Sequence, residues 1–101
     1  MKEIIKNSLD KSISYPDYIA MVKQLAENGT TTGAEKSESL IEYTKLNDRR
    51  MKRWNKTLKI GQENIERLEK FNKKVTWLIL TESWCGDAAH VMPVMQKIAD
   101  I

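Results

Sequence analysis

The chain has one cysteine and one histidine among its 101 residues. A lone cysteine excludes an intramolecular disulfide, so no disulfide framework supports the fold. One cysteine and one histidine also fall short of the ligand set of a closed zinc site, so no metal centre is expected within the chain, and no cofactor is expected either. Long apolar runs are missing too: nothing approaches the roughly 20 residues of a membrane span. The N-terminus, MKEIIKNSLDK, is too polar for a secretory signal. These absences predict a soluble, cytoplasmic protein of one small domain, burying roughly 60 to 70% of the surface its unfolded chain exposes.

Charge is present but unevenly placed. Residues 1–40 hold 5 Lys and Arg against 6 Asp and Glu, residues 41–74 hold 11 against 5, and residues 75–101 hold 1 against 3. The net charge of +3 therefore belongs to the middle of the chain. The basic run Arg49, Arg50, Lys52, Arg53, Lys56 and Lys59, with Trp54 in its midst, raises nucleic acid or an anionic membrane surface as partners. Trp54, however, shares helical spacing with Met51 and Leu58. It reads as core-facing and the charges as the solvated back of a packed helix, so neither nucleic acid nor membrane is an expected partner.

Helical signals fill the first seventy residues. Ile5, Leu9 and Ile13 suggest a short helix over 3–11. Ser14, Pro16 and Asp17 form the start of a second helix, and Tyr18, Val22, Leu25 and Ala26 line one of its faces. Gly29 suits a left-handed cap at its end. GTTTGAEKS, residues 29–37, reads as an exposed loop. Leu40, Tyr43, Asn47, Met51, Trp54 and Leu58 then predict a long amphipathic helix over about 38–59. Gly61 interrupts, and Ile65, Leu68 and Phe71 predict one more helix before the turn at Asn72, Lys73 and Lys74.

Residues 75–81, VTWLILT, break this pattern. They are nearly continuous, β-branched or large, and bounded by polar residues, which predicts a strand buried on both faces. From Cys85 the chain reads as helical again, with Ala88, Val91, Val94, Met95 and Ile98 at helical spacing and Pro93 inside, where it should kink the helix. The expected class is α/β, mostly helical. A central strand must pair on both edges, and no second strand of comparable strength is present. Residues 2–6 as a weak edge strand, strands from another chain, or a longer natural protein would each resolve this. A longer natural protein is the favoured expectation.

Trp84, Cys85 and Gly86 stand where the strand passes into the helix. That position sets the sulfur beside the first helical N–H groups, whose dipole favours a thiolate, while Trp84 would pack beside the sulfur and Gly86 would leave room for a partner's backbone. His90 lies five residues beyond Cys85, about 500° of helical rotation, and so sits off the sulfur's face. A Cys-His dyad is not expected, and the Asp87–His90 spacing suits a weak surface pair.

With these residues in register, the stretch 75–101 resembles the first strand-helix half of a thioredoxin active site: an apolar strand, Trp84-Cys85-Gly86, and Pro93 eight residues beyond the cysteine. The segment YTKLNDRRMKRWNKTLKI resembles the helical N-terminal extension of a bacterial group of thioredoxin family proteins. The resemblance implies a helical extension over 1–60 and, over 61–101, the first central strand and active-site helix of a thioredoxin-like fold. That fold would be incomplete, in the sense that later strands and a cis-proline loop would come after Ile101. The resemblance also implies Cys85 as the attacking thiol. The resolving cysteine of the family pattern is replaced by Ala88, which cannot resolve a mixed disulfide, and its proline by Asp87, whose charge opposes a thiolate. The expected function is thus monothiol exchange with protein or low-molecular-weight thiols and disulfides, through Cys85, with Trp84, Gly86, Asp87 and Pro93 in support. The alternatives are a redox-silent binding module and an inactive fragment.

Overall fold

The computed structural model describes residues 1–101 as five helices: α1 (Lys2–Lys11), α2 (Tyr15–Glu27), α3 (Glu38–Thr57), α4 (Gln62–Glu69) and α5 (Gly86–Ala99). None of them is long and apolar enough to cross a membrane. Local chemistry sets their limits. Ser14 caps α2 by accepting from the Asp17 N–H at 3.2 Å, with Pro16 in the first turn. The helix ends at Asn28, after which Gly29 takes the left-handed conformation at φ 66°. Ser37 caps α3 in the same manner, accepting from the Leu40 N–H at 3.3 Å. Cys85 is the N-cap of α5 and makes no side-chain capping bond.

α3 is the spine of the molecule, packed on α2 along one side and on α5 along the other. Their meeting faces form the apolar core: Tyr18 and Val22 from α2, Met51 from α3, Ala89 and Met92 from α5. The core therefore draws on residues from both sides of position 60. The amphipathic stripe of α3 is turned slightly from the one expected. Thr44, Asn47 and Met51 are buried, whereas Tyr43 is exposed. Leu40, Thr44, Asn47, Met51, Trp54 and Leu58 recur at spacings of three and four, and Thr44 takes the place assigned to the more apolar Tyr43.

The expected α/β class is not found. The chain forms no strand: residues 2–6 belong to α1, and residues 75–81 are neither helix nor strand. No backbone–backbone hydrogen bond involves residues 72–81. The physical reason is the pairing requirement itself, since a strand exists only as part of a ladder and these residues have no second extended segment beside them. Apolar content without a partner leaves Leu80 88% exposed, with Val75, Trp77 and Ile79 also exposed. Together with Tyr15, Met92, Met95 and Ile98 they border an open cleft of about 1170 Å³.

With ten buried residues in the chain, each core side chain carries a large share of the stability. Met51→Ala should destabilise the fold by about 2–5 kcal/mol, because the site is enclosed by two other helices and cannot collapse fully. Leu80→Ala should cost less than about 0.5 kcal/mol. Urea unfolding monitored by circular dichroism compares the two, and equal losses would mean that segment 75–81 is packed in solution.

Candidate functional site

Cys85 lies half-buried at the head of α5. Its N–H donates to the Glu82 carbonyl at 3.0 Å, and its own carbonyl accepts from the Ala89 N–H at 3.2 Å, which starts the helix. Residues 82–85 thus form a tight turn, and the placement of the thiol depends on the groups that hold that turn.

The turn is held by a buried polar cluster centred on Ser83. The Ser83 hydroxyl lies 3.0 Å from that of Thr31 and 2.9 Å from that of Thr44, and it accepts from the Thr32 N–H at 3.0 Å. In return the Ser83 N–H donates to the Thr32 hydroxyl at 2.8 Å. Thr44 donates to the Leu40 carbonyl at 3.0 Å, and Thr31 lies 2.7 Å from Thr44. Each hydroxyl has one proton to give, so one consistent order runs from Ser83 to Thr31 to Thr44 to Leu40. Asn47 completes the cluster by donating from Nδ2 to the Ser83 carbonyl at 3.0 Å. Every buried side-chain polar atom in the chain has a partner.

The loop expected to be exposed is therefore a working part of the site. Thr31 is fully buried, and Thr32 donates its hydroxyl to the Glu82 carboxylate. Gly33 turns with φ 84°, and a side chain there would stand 3.3 Å from Glu82 Oε2, so the turn needs glycine for both conformation and space. Lys36 closes the loop by donating to the Thr31 carbonyl.

Of the basic run, Arg49, Lys52, Arg53, Lys56 and Lys59 are exposed, whereas Arg50 is partly buried. Its Nη1 donates to Asn47 Oδ1 at 3.0 Å and lies 3.1 Å from where a Cβ on Gly86 would stand. The space left by Gly86 is thus filled from within the chain. Trp84 is exposed at the surface, and so is Asp87. Pro93 is buried inside α5. His90 turns from Asp87: its Nδ1 accepts from Trp54 Nε1 at 2.9 Å, joining α3 to α5. No Asp87–His90 ion pair forms, since the chain's two ion pairs are Glu42–Lys45 and Glu63–Arg67.

Tyr18 lies against the same turn and donates to the Glu82 carbonyl at 3.3 Å. Its phenol is pushed above its ordinary value of 10.0 chiefly by burial; the neighbouring Thr81 hydroxyl opposes this, and the charges of Cys85 and Glu82 add to it. Of these residues only Cys85, Trp84, Gly86, Asp87 and Pro93 were recognisable as site residues from local motifs. Thr31, Thr32, Thr44, Asn47, Arg50 and Ser83 come together only in space. The one signal for them in the sequence is Asn47, a polar residue on the otherwise apolar stripe of α3.

A family model described as Thioredoxin matches residues 33–101. The chain belongs to the thioredoxin family. Neither the curated proteins nor the solved structures give a match to it. The family match takes in Gly33, all of α3 and the Cys85 turn, so most of the polar cluster lies within the thioredoxin-family part, with Thr31 and Thr32 just before it.

Ser83→Ala should cost about 1–3 kcal/mol, because it removes the acceptor of the half-buried Thr32 N–H and the hydroxyl that bonds the buried Thr31. Thr57→Ala, removing an exposed hydroxyl that bonds only the Arg53 carbonyl, should be close to neutral in the same urea titration. A second outcome concerns alkaline pH. A phenol with a raised folded value holds its proton more tightly in the folded chain, so the stability Tyr18 contributes is complete below pH 10 and is lost as pH rises through the folded value. Tyr18→Phe should flatten that alkaline loss, and an unchanged profile would remove Tyr18 as its source.

Proposed function

We propose that this thioredoxin-family chain carries out thiol–disulfide exchange with Cys85 as its sole nucleophile. The observation supporting this reading is the position of Cys85: it is the half-buried N-cap of α5, at the helix end whose dipole favours a thiolate, although its sulfur makes no capping bond. Ala88 stands one turn further on, where a resolving cysteine would be needed for an internal dithiol cycle. The thiolate of Cys85 attacks one sulfur of a disulfide, a new S–S bond forms as the old one breaks, and the departing thiolate takes a proton from water. An external thiol then attacks the mixed disulfide and releases Cys85. The electrons come from that external thiol, so the partners are low-molecular-weight or protein thiols and disulfides. A single free cysteine suits a reducing compartment, and the cytoplasm is the proposed site of action.

A second reading is a redox-silent module that binds a partner through the same surface. It is favoured by Trp84, which is 36% exposed next to Cys85 and offers an apolar contact that needs no thiol chemistry.

Mass spectrometry after incubation with hydroxyethyl disulfide separates the two. Exchange predicts one mixed disulfide per chain, absent in Cys85→Ser, that persists until a monothiol is added. The silent module predicts no adduct and an alkylation midpoint at or above that of free cysteine, about pH 8.5.

A further inference from the structure

The Cys85 turn is served by a cation that the exchange reading leaves without a task. Arg50 is the one partly buried member of its basic run, and it takes part in neither of the chain's ion pairs. Its single hydrogen bond goes to Asn47 Oδ1, which leaves most of the guanidinium's five N–H donors without an acceptor in the chain. Asn47 itself is buried, and its amide is used at both ends: Oδ1 receives Arg50, and Nδ2 donates to the carbonyl of Ser83, two residues before Cys85. The guanidinium is thereby tied to the same turn that carries the thiol. It stands over Gly86, where any side chain would meet it at 3.1 Å. The first three amides of α5, those of Gly86, Asp87 and Ala88, have no backbone acceptor and add positive potential on the same side. Two carboxylates oppose this field. Glu82 is already engaged by the Thr32 hydroxyl, and Asp87 lies exposed to solvent, where screening weakens it.

We infer that Arg50, positioned by Asn47, is the specificity-determining residue of the Cys85 site and selects thiol and disulfide partners that carry a carboxylate beside the reacting sulfur. The guanidinium pairs with that carboxylate while the Cys85 sulfur meets the partner's sulfur, in the same exchange step. This rests on the exchange reading but can fail separately from it. Arginine suits the role better than a lysine because its planar fork meets a carboxylate through two parallel bonds.

The test uses the full chain and two reagents of similar size, anionic iodoacetate and neutral iodoacetamide. The rate ratio, iodoacetate over iodoacetamide, should be higher in the folded chain than in the same chain unfolded in urea. Arg50→Gln should lower the folded ratio on the order of threefold to tenfold, Arg50→Lys should retain part of it, and Arg49→Gln, an equal charge change on an exposed neighbour, should leave it unchanged. A folded ratio no higher than the unfolded one would overturn the inference without any variant. So would equal losses in Arg50→Gln and Arg49→Gln, which would show a diffuse field and no specific contact. Exchange with dithiodiglycolate and with cystamine forms the second arm, and the anionic disulfide should react faster only when Arg50 is present. If neither disulfide reacts while the alkylation ratio still depends on Arg50, exchange fails and the anion preference stands; if both react at rates independent of Arg50, exchange stands and the preference is overturned.

Discussion

Everything at the candidate site depends on the burial of Ser83. Its hydroxyl and both of its backbone groups bond to residues far away in sequence: Thr31 and Thr32 from the loop after α2, and Asn47 from α3. A serine in that position is favourable only while every bond is made, because a buried polar group without a partner costs more than the bond returns. The cluster therefore behaves as one unit. It sets the turn 82–85, the turn sets the head of α5, and the head of α5 sets the place of Cys85.

The apolar core supports this arrangement from below and could not produce it alone. Tyr18, Val22, Met51, Ala89 and Met92 bring α2, α3 and α5 together without specifying their register closely, since hydrophobic contact has little directional preference. The hydroxyl cluster supplies the direction. Tyr18 belongs to both, with its ring in the core and its hydroxyl on the Glu82 carbonyl. Trp54 and His90 add a second polar tie between α3 and α5 further along. The basic surface of α3 is consequently divided in its use: the outer residues face water, while Arg50 is drawn inward by Asn47 to a place beside Gly86, the residue after Cys85.

Segment 75–81 shows the opposite case, a strong local preference that found no partner. Its residues favour a buried strand as clearly as any in the chain, yet they form no ladder and lie largely exposed along one wall of the open cleft. β structure is non-local by nature, and propensity only becomes structure when another edge is available.

The helices were legible in the sequence because their signals are local. Caps at Ser14 and Ser37, the stop at Gly29 and the three-to-four spacing of α2, α3 and α5 each act within a few residues, and the structure has helices at all of these places. The sequence by itself also determined that Cys85 has no resolving partner among these 101 residues, since Ala88 stands where one would be and there is no other cysteine. Tertiary structure alone decided the rest of the site. Thr31 and Ser83 lie 52 residues apart, and hydroxyls so distant carry no periodicity by which to find each other. It also decided that Thr44 faces inward while Tyr43 does not, and that 75–81 forms no strand. In each case the outcome depends on which surfaces meet, and the energy of a hydrogen bond or a ladder exists only once they have met.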